Sequence, residues 1–293
     1  MARLNASLTS NLQSTYLEGS DSDGAHALAI AGSGDVYVAG LTYSTNFPNT
    51  GGGAQETKGG GADAFVARLD ATLTQNSFQS TYLGGSGSEG AFALAIGPAP
   101  NYDVYVAGRT TSPNFPNTGG GAQASYGGGG DDAFVARLNS LLTQNPQSTY
   151  LGGSETDEAF ALAIGPAPNY DVYVAGRTYS PNFPNTGGGA QASHGGGFRD
   201  AFVARLNASL TSNLQSTYLG GSGDDDAYAL AIGPAPTYDV YVAGETSSPN
   251  FPHTDNGAQA SYGGGSRDAF VARLTGDLRG GFRLYLPLVL RMR

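Results

Sequence analysis

Four peptide motifs recur through this chain in fixed order at a nearly constant interval, and that tandem repetition limits the fold more than any other property of the sequence. STYL begins at Ser14, Ser80, Ser148 and Ser216, and DVYVAG at Asp35, Asp103, Asp171 and Asp239. NFP begins at Asn46, Asn114, Asn182 and Asn250, and DAFVARL at Asp63, Asp132, Asp200 and Asp268. The interval is 68 residues nearly everywhere, with a shortening between the first two STYL copies. A chain of 293 residues built this way is an array of equal units rather than a pair of unrelated domains.

Each unit reads as strands and turns. In the third, AFALAI (Ala159–Ile164), DVYVAGRT (Asp171–Thr178), DAFVARL (Asp200–Leu206) and QSTYLGG (Gln215–Gly221) are short apolar, β-branched and aromatic runs bounded by Gly, Pro, Asn and Asp. The composition points the same way: 46 Gly, 17 Tyr and 13 Phe suit turns and pleated surfaces better than helices. The expected fold class is all-β, with four antiparallel strands per repeat, the content of one propeller blade.

A net charge of −10 argues against nucleic acid or an anionic membrane as partner, because both require clustered Lys and Arg. The absence of Cys excludes a disulfide framework and thiolate metal ligands without fixing the compartment. No stretch approaches the roughly 18 apolar residues of a membrane-spanning helix, and MARLNASLTS lacks the apolar core of a signal peptide.

The ordered set ALAI, DVYVAGRT, NFPNT, GAQ, GGGxDAFVARL and STYLGGS, repeated from Ser14 to Leu274, resembles the SBBP repeat of bacterial β-propellers. The resemblance implies a propeller in a secreted or surface protein and transfers no catalytic residues. With ALAI innermost and STYL at the rim, residues 1–275 give a four-bladed propeller with repeats over 20–83, 84–151, 152–219 and 220–275. The fourth repeat stops after DAFVARL, whereas a QSTYL segment precedes the first. ARLNASLTSNL repeats the end of a third strand and its turn, so that a closing strand over 12–19 is expected to complete the last blade. The same clasp made between molecules would give a larger ring or a polymer.

Candidate chemistry is sparse. His26, His194 and His253 occupy different slots of the repeat, so no His-based metal or general-base site is expected. The turn before each innermost strand is acidic: Asp21 and Asp23, then Glu89, then Glu155, Asp157 and Glu158, then Asp224, Asp225 and Asp226. Four such turns at one mouth form a solvated acidic rim, with calcium or a glycan as the ligand alternative. Asp35, Asp103, Asp171 and Asp239, and the Asp and Arg of every DAFVAR, recur in each repeat and read as structural devices. Phe47, Phe115, Phe183 and Phe251 are expected to pin the long loop between the second and third strands, and the Gly of VYVAG to let neighbouring blades approach.

The segment 276–293 belongs to no repeat. Its apolar run LYLPLVL carries Leu284, Tyr285, Leu286, Leu288, Val289 and Leu290, followed by Arg291; it either folds back as a strand over its own propeller or docks on a neighbouring copy, which makes these the candidate self-assembly residues. The expected function is a non-catalytic extracellular structural or interaction protein without cofactor, assembling with its own copies into filaments or tubes. A glycan- or cation-binding propeller is the alternative, and a glycoside-active enzyme is third. An export signal would lie outside this sequence.

Overall fold

The computed structural model describes residues 2–4, 7, 9–74 and 78–279, and the seven residues of the candidate assembly run lie outside them. Among the described residues there are seventeen strands and no helix. A short hairpin of β1 (Ala2–Leu4) and β2 (Asn11–Ser14) precedes four antiparallel sheets. The first sheet is β3 (Asp23–Ile30), β4 (Val36–Thr42), β5 (Asp63–Leu69) and β6 (Gln79–Leu83). The second is β7 (Glu89–Ile96), β8 (Val104–Thr110), β9 (Asp132–Leu138) and β10 (Gln147–Leu151). The third is β11 (Asp157–Ile164), β12 (Val172–Thr178), β13 (Asp200–Leu206) and β14 (Asn213–Leu219). The fourth has three strands, β15 (Asp225–Ile232), β16 (Val240–Thr246) and β17 (Asp268–Leu274).

The strand motifs and their order within each sheet are those expected from the sequence. The closure is not. Residues Asn11–Ser14 pair with Ala2–Leu4, and among the described residues no fourth strand pairs with β17. The competition is between two copies of one sequence, since Ala2–Leu4 reproduces the ARL that ends β17. The nearer copy wins because a short connection costs less closure entropy than one spanning the whole array. No backbone hydrogen bond joins the first sheet to the fourth among the described residues.

Consecutive sheets pack face to face. Tyr37, Ala39, Ala64 and Val66 of the first sheet lie against Val104, Val106, Phe134 and Leu138 of the second, and equivalent residues repeat at the next two junctions. Each junction is fastened by a tyrosine: Tyr37, Tyr105 and Tyr173 hydroxyls donate to the carbonyls of Ser140, Ala208 and Gly276 at 2.7, 2.8 and 2.6 Å. Beside them the N–H groups of Ala54, Ala122 and Ala190 donate to the carbonyls of Leu142, Leu210 and Leu278.

The long loop is pinned as expected. Phe47 stacks on Phe65 with ring centroids 4.4 Å apart, and the same pair recurs as Phe115–Phe134, Phe183–Phe202 and Phe251–Phe270. A rim tyrosine completes it in the first three sheets. The Tyr82 hydroxyl accepts from Phe47 N–H and donates to the Ser44 carbonyl, as Tyr150 and Tyr218 do in theirs.

The glycine of VYVAG has a different reason from the one expected. Gly40, Gly108, Gly176 and Gly244 sit opposite a register shift in the neighbouring strand of their own sheet. A Cβ on any of them would lie 1.9 Å from a carbonyl oxygen of that strand. The bulge of the first hairpin demands glycine, rather than the approach of one sheet to another.

Candidate functional site

Three features collect polar or aromatic groups: carboxylate pairs at the junctions, a row of rings along the first strands, and a cleft beside the fourth sheet.

The acidic turns are only in part the solvated rim the sequence predicts: Asp21 and Glu155 are exposed and Asp23 and Asp224 half-buried. Glu89, Asp157, Glu158, Asp225 and Asp226 are all buried. Glu158 is held by Arg109 and Arg177 and Asp226 by Arg199 and Arg267, whereas Glu89, Asp157 and Asp225 meet the Asp of DAFVARL in the preceding sheet. Asp63 and Glu89 both pack on Gly84, Asp132 and Asp157 on Gly152, and Asp200 and Asp225 on Gly220. A Cβ on these glycines would lie 2.5, 2.8 and 2.6 Å from a carboxyl atom. Each carboxyl is fed by hydrogen bonds: Gly153 N–H and the Ser180 hydroxyl donate to Asp157 Oδ2 at 2.7 and 2.9 Å, and Gly127 N–H donates to Asp132 Oδ2 at 2.6 Å.

Loss of water pushes Asp132, Asp157 and Asp200 up to about 7, with the neighbouring carboxylate of the pair adding to the rise for Asp132 and Asp200. Asp63, Glu89 and Asp225 move in the same direction from the same first cause. Two close buried carboxyls without a cation between them favour holding one proton. Among the described residues no group of three or more His, Asp or Glu gathers in a way that would hold a metal ion.

The second feature went unread in the sequence. The bulge that requires glycine also turns out the residue skipped at the register shift, which is His26, Phe92, Phe160 or Tyr228. These rings form a row with centroid spacings of 5.3, 5.7 and 5.7 Å. Arg109 and Arg177 lie over Phe92 and Phe160 at 6.0 and 5.2 Å, and both reach Glu158. His26 therefore occupies a shared aromatic slot, and its Nδ1 lies 3.2 Å from the Ala91 carbonyl. The recurrence of aromatics at one offset after the acidic turn was the available signal.

The third feature is a cleft of about 550 Å³ between the third and fourth sheets, lined by Asp171, Arg205, Asp239, His253, Arg273 and Asp277 among others. The charges on its second and third strands are already matched. Arg205 pairs with Asp171 at 2.6 Å and Arg273 with Asp239 at 3.5 Å, repeating Arg68–Asp35 and Arg137–Asp103 in the other sheets. The Thr275 hydroxyl donates to Asp277 Oδ1 at 2.6 Å. The recurring Asp and Arg are thus internal braces between second and third strands. The three histidines stand in separate places: the ring row, the third sheet's loop near Asp200, and the cleft.

No family model and no curated protein matches the chain. A crystal structure of a protein of unknown function from Dyadobacter fermentans is similar to it with a TM-score of 0.41 and 14% identity, over 82% of this chain. The chain spans 61% of the length of that protein.

Proposed function

We propose that this chain is a non-catalytic structural or interaction protein of the SBBP-repeat kind, its four sheets acting as propeller blades, and that it works outside the cell by assembling with its own copies through its terminal segments. One observation carries the reading. The fourth sheet exposes a face and an edge that the interior sheets bury, while the recurring carboxyls and arginines are used up in internal contacts. Val271 is 77% exposed, whereas its counterparts Val66, Val135 and Val203 are at 0%. An apolar face of this kind beside an unpaired strand is an association surface.

Light scattering and electron microscopy of the full chain test the reading, with a chain truncated after Arg279 alongside to isolate the apolar tail. Particle mass is expected to rise with concentration. A mass of one chain at every concentration would contradict the reading.

A glycan-binding role is the second reading, favoured by the half-exposed ring row and its arginines, because sugar faces stack on aromatic rings as other flat apolar surfaces do. Replacement of Phe92 and Phe160 by Ala is expected to abolish retention on a polysaccharide that holds the parent chain. Retention by the variant would remove this reading.

A further inference from the structure

Residues Ala2–Leu17 repeat Ala204–Leu219 residue for residue. The likeness extends to their pairing. β1 and β2 align as Ala2↔Ser14, Arg3↔Gln13 and Leu4↔Asn11, with the partners and the irregularity of Ala204↔Ser216, Arg205↔Gln215 and Leu206↔Asn213 in the third sheet. The N-terminal hairpin is thus the outer half of a sheet, detached from any inner strands.

Tyr16 is 84% exposed, whereas its counterparts Tyr82, Tyr150 and Tyr218 are at 0, 0 and 1%. The approach to the first sheet is nevertheless the one used inside the array. Gly19 N–H donates to Asp23 Oδ2 at 2.7 Å, as Gly153 does to Asp157, and Leu17 packs against the core around Val36 and Leu69. Gln13–Leu17 therefore leads into the first sheet as the fourth strand of a preceding sheet would.

At the other end, β17 offers seven residues with no partner strand on its outer side among the described residues. The slot that Tyr82, Tyr150 and Tyr218 fill in their sheets receives no tyrosine in the fourth among the described residues, and there Phe251 N–H turns to the Ser248 carbonyl at 3.3 Å. Tyr241, the counterpart of the junction tyrosine Tyr37, is 40% exposed against 2%.

We propose that Gln13–Leu17 of one copy adds to β17 of a second copy as the missing fourth strand, so that the second copy's fourth sheet stacks on the first sheet of the donor. This rests on the assembly reading above and names its surface and partner. The third sheet dictates the register, through Ala201↔Leu219, Phe202↔Tyr218, Val203↔Thr217, Ala204↔Ser216 and Arg205↔Gln215. Transferred to the new pair, Leu17, Tyr16, Thr15, Ser14 and Gln13 face Ala269, Phe270, Val271, Ala272 and Arg273. Tyr16 then enters the Phe251–Ser248 slot, and Val271 and Tyr241 are covered by the donor's first sheet. A second copy is the occupant because the donor segment carries the sequence this site takes in three other sheets, and within its own chain β2 is paired with β1 rather than with β17. Addition of a strand to an exposed edge supplies main-chain hydrogen bonds, and side-chain pockets supply the specificity.

Two features oppose the exchange and so regulate it. β1 holds the β2 edge through three pairs and must leave before β17 can take it. Glu18 stands where Gly84, Gly152 and Gly220 contact the buried carboxyl pairs, and in the assembled junction it would meet Asp23 and Asp268. Removing this side chain restores the interior pattern.

Sedimentation velocity on the full chain, across a concentration series, tests the proposal with two variants. Tyr16→Ala is expected to weaken association at least about tenfold while leaving the melting temperature of the dilute protein unchanged, since Tyr16 is exposed there. Glu18→Gly is expected to tighten association at least about tenfold, by removing a clash and a third carboxylate. If the parent chain associates but neither variant alters it, strand donation is wrong and assembly runs through another surface. If the mass stays that of one chain while Tyr16→Ala lowers the melting temperature, the strand closes within its own chain and donation is again wrong. If the parent and Glu18→Gly both remain single chains throughout, donation and the assembly reading fall together.

Discussion

The second and fourth sheets are built from nearly the same sequence and differ mainly in what lies beside them. Val135 and Val271 occupy one position of one motif, as do Tyr105 and Tyr241, yet the first of each pair is buried and the second exposed. The same residues are core in one place and surface in another, so it is the neighbour that makes this core. A repeat of this kind cannot bury its faces alone, and its stability is a sum of unit and junction contributions.

That contrast can be broken most forcefully with charge. Val135→Asp places a carboxylate in a dry junction and is expected to unfold the array or cost more than about 4 kcal/mol. Val271→Asp is expected to change the stability of the dilute protein by less than about 0.5 kcal/mol, because water already reaches the site. Chemical denaturation measures both, and equal losses would mean that the fourth sheet is covered in solution.

Ring removal sharpens the comparison at a smaller scale. Phe134→Ala, at a fully buried ring that stacks on Phe115, is expected to cost about 3–5 kcal/mol. Phe270→Ala, on the strand without an outer neighbour, is expected to cost less than half as much, read from the same denaturation curves.

The junction carboxyls give a pH signature. Asp132, Asp157 and Asp200 are raised to about 7 in the folded chain, chiefly by loss of water, against about 4 for an exposed Asp. Between those values the folded state holds more protons than the unfolded one, so stability falls as pH rises through about 7. The melting temperature is expected to be higher at pH 5 than at pH 8. Asp132→Asn should flatten the difference, and an equally steep profile in that variant would place its origin elsewhere.

The smallest effect comes from the tyrosine fasteners. Tyr105→Phe leaves the Ala208 carbonyl without its donor and is expected to cost about 1 kcal/mol, whereas Tyr241→Phe is expected to cost nothing measurable in the dilute protein.

The strands were legible because each motif carries its own bounding turns, and the loop-pinning phenylalanines because NFP recurs at a fixed offset. Pairing between distant segments was not. QSTYL can dock on any copy of an ARL strand, and the sequence does not say that the copy a few residues upstream takes it. The carboxyl pairs were hidden for a related reason, since both members appear as surface acids of separate motifs until the sheets stack and bring Asp132 to Asp157. The ring row was hidden because the bulge that presents it is a property of backbone register.

The central claim is that the fourth sheet is an unfinished copy of its neighbours, completed by Gln13–Leu17 of another chain. Amide hydrogen exchange, followed by mass spectrometry at low and high protein concentration, addresses it most directly. The expected result is that protection rises with concentration in Ala269–Arg273 and in Gln13–Leu17 together, while β9 and β10 stay as they were. Concentration-independent exchange in both segments, in samples whose particle mass has grown, would contradict it.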